Sequence, residues 1–314
     1  MSIGTTTTSL RPATTEAQRA EPAGLDIRPV PSGGLLASAR RRLARDHLTL
    51  AALGLLLGYG VLALAADLLA VQVFHTTPTS IDLRTALAPP SAGHWLGTDE
   101  FGRDQLVRLL YGARVSLSIG LMAAALNLSL GVLLGAVAGF YRGRVDDLVI
   151  WATTSLRSIP TLFLLILIGA LFRPGPAGLA LLIGVLGWPG IARVVRGQVF
   201  AIRERDYVTA ARAIGASDAR LIARHVLPNV ISIVLVILGQ DIGAVILTES
   251  GLSYLGLGVQ PPNASWGNML SNAQRYLGSA VWLVAAPGVC IFSTVLSLYL
   301  VADGLRDALD PRTT

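Results

Sequence analysis

The chain has 314 residues, 53% of them hydrophobic and only 14% charged, with a mean hydropathy of +0.61; soluble domains carry about 25% charged residues, which argues against an ordinary soluble globule. All 25 basic residues are arginine, so the lysine of a phosphate-cradling P-loop and any Schiff-base lysine are both excluded. The formal net charge of +6 comes mostly from arginines flanking apolar runs, where such an excess sets membrane topology, rather than from a nucleic-acid-binding patch. Cys290 is the single cysteine, and His47, His75, His94 and His225 are far apart in sequence. No metal centre and no catalytic constellation is expected.

Residues 1–38, rich in Thr, Ala, Pro and Gly, contain no apolar run of signal-peptide length and read as a disordered cytosolic tail. A basic juxtamembrane segment, 39–47, follows with Arg40, Arg41, Arg42 and Arg45. The membrane domain is expected over 48–310, with a short cytosolic tail at 311–314. About 20 mostly apolar residues cross a hydrocarbon core, and six such runs occur: Leu48–Val73, Val115–Phe140, Leu148–Phe172, Ala177–Val195, Val230–Leu252 and Val281–Ala302. The third is impure, with Arg157 and Ser158 before Pro160. The fourth holds Gly187, Trp188, Pro189 and Gly190, which predicts a kink rather than a stop. Eighteen of the arginines fall in segments this scheme makes cytosolic and six in external ones, so both termini are expected inside.

Two connections are too long for simple turns and therefore read as functional: an external loop, 74–112, and a cytosolic loop, 196–229. In the external loop, Asp99, Arg103 and Asp104 can supply an ion pair and caps. In the cytosolic loop, Asp206 can cap a helix whose apolar stripe is Tyr207, Val208, Ala211 and Ile214. Gly215 ends it, Ser217 or Asp218 starts a second helix, and Leu221, Ile222 and Val226 form its apolar face. Pro228 stops that helix or tips it into the fifth span. The small Ala210 and Ala211 would let another backbone approach; the alternative is an amphipathic helix resting on headgroups.

A charge inside a span costs about 2.5–3.5 kcal/mol, so Asp67, Asp241 and Glu249 are expected to face a cavity, water or a partner. Asp241, near mid-span, is the best pathway-lining candidate and Glu249 the second. Glu249 and Asp67 lie near external span ends and are expected to reach water; helix–helix hydrogen bonding is the alternative for all three.

The cytosolic loop resembles the EAA loop of ABC-importer permeases: Ala210, Ala211, Gly215, Leu227 and Pro228 match its spacing, while Thr209 stands where Glu is usual and His225 where a hydrophobic residue is usual. The stretch containing Gly97, Thr98, Asp99, Gly102, Arg103 and Asp104 is similar to the signature before the second span in C-type permeases of dipeptide, oligopeptide and nickel importers. ESGLSYLGLGVQPPNASWGNML resembles the segment after the fifth span in the same branch, so the likeness runs from about residue 48 to 310. The resemblance implies an all-α type I ABC importer fold with six transmembrane helices in a bacterial inner membrane. It implies a transport subunit with no cofactor of its own, importing peptides or related small solutes. Its partners would be a B-type permease, an extracytoplasmic binding protein and two ATPases carrying ATP and Mg, onto which Tyr207 and the rest of the cytosolic loop dock. The alternative is a self-sufficient proton-coupled carrier using Asp241 and Glu249.

Overall fold

Asp46 starts the first of the described apolar helices: its carboxylate accepts from the backbone N–H of Leu48 (3.0 Å) and Thr49 (3.3 Å), satisfying donors that a helix start leaves open. The computed structural model describes residues 42–309 except Asn272. The expected tails at 1–38 and 311–314, and the first part of the basic segment, lie outside the described residues. Helix α1 runs His47–Leu64 and α2 runs Ala66–Gln72, so the expected Leu48–Val73 span is interrupted at Ala65. The reason lies about fifty residues away. Arg114 Nε donates to the Ala63 carbonyl (2.9 Å) and Nη2 to that of Leu64 (3.3 Å), giving the freed carbonyls a partner.

Helix α3, Gln105–Tyr141, spans 37 residues, about 55 Å at 1.5 Å per residue. It therefore projects well beyond a hydrocarbon core of about 30 Å. The expected third span is not continuous. It consists of α4, Gly143–Ser158, and α5, Thr161–Phe172, bent by 71°. Pro160 has no N–H to donate and disfavours a helical residue before it, and Ile159 is extended at φ −100°, ψ 127°. Helix α6, Pro176–Arg203, passes through Pro189 without a break. Two short helices follow, α7, Asp206–Ala213, and α8, Asp218–Leu221; then α9, Leu227–Tyr254, α10, Trp266–Ser271, and α11, Trp282–Leu309. Pro228 does not stop the chain. A π turn over Ile222–Val226, in which Leu227 N–H reaches back to the Ile222 carbonyl, carries α8 into α9 and absorbs the proline's missing donor.

Among the described residues, five helices are long and apolar enough to cross a membrane, or six with α4 and α5 counted as one broken span. Helix α3 packs most extensively against α6. Gly131, Gly135 and Gly139 recur every four residues and face Ile191, Ala192, Val195 and Val199. A Cβ at Gly135 would lie 2.5 Å from the Ala192 carbonyl oxygen and 3.0 Å from Val195 Cβ, so hydrogen alone permits this approach. One buried cluster joins α3 and α6 to the two short helices and α9, through Phe140, Val195, Val199, Val208, Leu221 and Val230.

Candidate functional site

The α7–α8 segment is an elbow built by its glycine. Gly215 sits at φ +90°. Its N–H donates to the Arg212 carbonyl (3.0 Å) and the N–H of Ala216 to that of Ala211 (3.1 Å). This pair of bonds is the Schellman closure of a helix C-terminus. Asp206 is not the cap: it is the first residue of α7, Arg205 holds the cap position, and no side chain caps the helix. As the first residue, Asp206 places its charge at the positive end of the helix dipole.

The expected apolar stripe divides. Val208 is fully buried and Ala211 packs on the same cluster, whereas Tyr207, Ala210 and Ile214 point outward, Ile214 with 88% exposure. Positions 207, 210 and 214 share one helical face and 208 and 211 another. Thr209 and Pro228 are exposed and Leu227 is half-buried. The two arms meet where the Tyr207 and His225 rings lie 6.2 Å apart. The C-terminal end of α3 is clamped to this region. Arg203 donates to the Phe140 carbonyl, the Arg212 guanidinium lies 5.4 Å from the Phe140 ring centroid, and Arg142 pairs with Glu204 at 2.7 Å.

At the opposite end of α3, residues 97–104 close on themselves. Asp99 Oδ1 accepts from Phe101 N–H (2.9 Å) and Arg103 N–H (3.0 Å). Its Oδ2 faces Arg103 Nε at 2.7 Å and Arg108 Nε at 3.4 Å. Asp104 caps α3 by accepting from Val107 N–H (2.9 Å), and its other oxygen meets His94 Nδ1 at 2.8 Å. Thr98 Oγ1 donates to the Thr85 carbonyl and accepts from Ala88 N–H (2.9 Å). Gly97 and Gly102 both sit at φ +72°, and a Cβ on Gly102 would overlap the Asp82 carbonyl. All six motif residues thus serve one turn, and the expected ion pair and cap are both present.

Within the bundle, Asp241 is half-buried and accepts from Asn127 Nδ2 at 2.9 Å, joining α9 to α3. Glu249 does not reach water. It is 0% exposed and accepts from Ser253 Oγ (2.7 Å) and Ser116 Oγ (3.1 Å). Those hydroxyls in turn accept from Val259 N–H (2.9 Å) and Trp266 N–H (3.2 Å). Glu249 is therefore a hub tying α9, α3 and the 259–266 loop. Ser250 and Ser253, one and four residues on, were the available sequence signal; Ser116 carries none. Asp67, by contrast, is exposed, pairs with Arg114 at 2.9 Å and accepts from the Tyr111 hydroxyl. Among the described residues, no group of three or more His, Cys, Asp or Glu could hold a metal ion.

Among the described residues, a helical bundle with five or six apolar crossings, an elbow at one end of the 37-residue α3 and a self-closed turn at the other has the architecture of a type I importer permease. Residues 131–314 match the family described as the binding-protein-dependent transport system inner membrane component, and the chain belongs to that family. It is 39% identical over 284 residues to a dipeptide transport system permease of Bacillus subtilis, covering 90% of this chain and 87% of the relative. To the oligopeptide transport system permease of the same organism it is 38% identical over 252 residues, covering 80% and 81%. To a glutathione transport system permease of Pectobacterium atrosepticum it is 36% identical over 274 residues, covering 87% and 89%. The chain is thus a multi-pass, peptide-type ABC importer permease, a transport subunit rather than an enzyme, and it functions within an ABC transporter system. Nothing in these relatives supports a proton-coupled carrier.

Proposed function

We propose that this permease moves peptides or related small solutes, nickel chelates among them, into the cytoplasm as half of a membrane core. Its partners are a homologous B-type permease, two cytosolic ATPases that carry ATP and Mg, and an extracytoplasmic binding protein. In this reading both termini and the 206–228 elbow face the cytoplasm, and the 74–112 segment, whose last eight residues are the first turns of α3, is extracytoplasmic. Tyr207, Thr209 and Ala210 contact the ATPase. Ala211, Gly215, His225, Leu227 and Pro228 hold the elbow's shape, and Asp241 with Asn127 lines the route. Glu249 enters as a hub behind that route rather than as part of its lining.

The observation that supports this best is the elbow itself. Its inner face belongs to the cluster shared by α3, α6 and α9, while its outer face presents Tyr207 and Ile214. A push on the outer face therefore reaches three spans at once, which is what rocking between inward- and outward-facing states requires. Gly215→Val, which places a β-branched residue at φ +90°, strains the turn by about 1 kcal/mol or more and should lower uptake at normal membrane abundance. Ala210→Trp should lose both uptake and co-purification of the ATPase, and Thr209→Glu should be tolerated. Undiminished uptake in the first two variants would end the coupling assignment.

Orientation has its own test. In a Cys290→Ser background, single cysteines replacing the exposed Ser91 and Ser279 should react with an impermeant thiol reagent added outside intact cells. A cysteine replacing Ser217, also exposed, should not. Labelling at 217 would reverse the topology.

A further inference from the structure

Helices α4 and α6 are clasped at the Gly143 end of α4. The Arg196 guanidinium holds both carboxylate oxygens of Asp146, Nη2 donating to Oδ2 at 2.6 Å and Nε to Oδ1. Beyond that clasp the two helices enclose a crevice of about 260 Å³, lined by Val149, Ile150, Thr153, Ala192, Arg193 and Arg196. Thr153 returns its hydroxyl to the Ile150 carbonyl at 2.9 Å, so the wall between the arginines is apolar. Arg157 follows Thr153 one turn later on the same face of α4. Its Nη1 lies 3.8 Å from the point where a Cβ would stand on Gly190, and Gly190 is one turn from Arg193 on α6.

Asp146 is engaged by Arg196. Arg157 and Arg193 are exposed, and among the described residues neither guanidinium has an ion pair or hydrogen bond. Asp147, also exposed, pairs with neither. Pro176–Arg193 covers about 26 Å along α6 at 1.5 Å per residue, close to the thickness of a hydrocarbon core of about 30 Å. Arg193 therefore sits near the far boundary of the core and Arg157 slightly inside it. A bare guanidinium at that depth is costly, and its long stem lets it reach toward the headgroups. Two uncompensated positive charges beside an apolar crevice suit a ligand with an anion at one end and an alkyl chain at the other. A soluble anion would neutralise the arginines and leave the crevice empty. A zwitterionic lipid would fill the crevice, but its own ammonium would offset its phosphate. A net anionic phospholipid satisfies both, and arginine forks match phosphate oxygens.

We infer that the α4–α6 crevice is a site for an anionic phospholipid of the cytosolic leaflet, its phosphodiester bridged by Arg157 and Arg193 and an acyl chain lying along Val149, Ile150 and Ala192. The leaflet follows from the orientation proposed above; the site itself does not depend on it. Bound there, the lipid braces the bent α4–α5 span against α6.

The test uses the complete transporter, with partner permease and ATPases, delipidated in detergent and titrated with dioctanoyl phosphatidylglycerol while native mass spectrometry counts bound lipid. The unmodified complex should bind it saturably, and dioctanoyl phosphatidylcholine far more weakly. Arg157→Gln combined with Arg193→Gln should raise the Kd about tenfold or more. Ile150→Trp, at a position 39% exposed, fills the crevice while keeping both arginines, and should do the same. Arg144→Gln, which removes an exposed arginine of α4 outside the crevice, should bind as the unmodified complex does. An unchanged Kd in the double variant or in Ile150→Trp would overturn the site. Equal loss in Arg144→Gln would reduce the effect to diffuse surface charge and overturn it too. Competition by inorganic phosphate at equal concentration would make this a free-anion site, and competition by dialanine would assign the arginines to substrate; either would overturn the lipid. Absence of bound phosphatidylglycerol on the unmodified complex would mean that the partner permease covers the crevice, with the same consequence. These readouts count lipid and do not measure transport, so they fail separately from the importer reading.

Discussion

Gly135→Leu is expected to abolish accumulation of folded permease. Helix association in a bilayer gains little from the hydrophobic effect and depends on close packing. At Gly135 a single added carbon already lies 2.5 Å from the Ala192 carbonyl oxygen, which belongs to backbone and cannot rotate away. Leucine adds three more carbons, so the effect should exceed the roughly 1–3 kcal/mol of ordinary overpacking. The damage will not stay local, because α3 and α6 also carry the cluster beneath the elbow. Gly135→Ala should be intermediate. Gly58→Leu, at a position in α1 where a Cβ meets nothing within 4 Å, should behave as wild type. Monodispersity and melting temperature in detergent provide the measurement; a wild-type melting temperature for Gly135→Leu would show that the α3–α6 approach is not a determinant of stability.

Asp99→Ala should have the second largest effect. Asp99 is 4% exposed and faces both Arg103 and Arg108, the latter 6% exposed. Removing one member of a buried ion pair costs about 3–5 kcal/mol, because the remaining charge stays buried without compensation. Here two guanidiniums lose their carboxylate, and the N–H groups of Phe101 and Arg103 lose an acceptor. The turn should open while the spans persist. Hydrogen exchange across residues 78–108 should rise sharply, with helix protection in α6 and α9 retained. Adding Arg108→Met to Asp99→Ala should restore part of the protection by removing one stranded charge. Unchanged exchange in the single variant would mean that the charge cluster does not hold the turn.

Much of this architecture is legible in the sequence, and what is not has identifiable causes. Among the described residues, each apolar run coincides with a helix, or a bent helix pair, long enough to cross, because one criterion, length of hydrocarbon traversed, governs them all. The two interruptions differ. Pro160 announces its break, and reading Leu148–Phe172 as one span underrates a proline placed directly after Ser158 and Ile159. The break at Ala65 has no local signal, since the group that satisfies its carbonyls, Arg114, lies in another helix. Glu249 looks terminal in a hydropathy pattern, yet α9 continues to Tyr254 and the 259–266 loop folds over it, a tertiary fact. At the elbow, the left-handed glycine follows from spacing. Which apolar residues turn inward does not, because the inner face is chosen by packing against α6 and α9. The four-residue repeat of Gly131, Gly135 and Gly139 is visible in the chain, but its partner helix is not.

Helix α3 is a single uninterrupted rod from the capped turn at Asp104 to the aromatic clamp at Phe140. With a length of about 55 Å, a tilt of only about 5° around its midpoint would displace each tip by roughly 2 Å in opposite directions. Its two tips thus behave as the arms of a seesaw. Strand-like slack or a flexible joint between them would dissipate such a displacement, and α3 has neither. Whatever seizes one tip is geometrically informed of what happens at the other, without any relay of side chains in between.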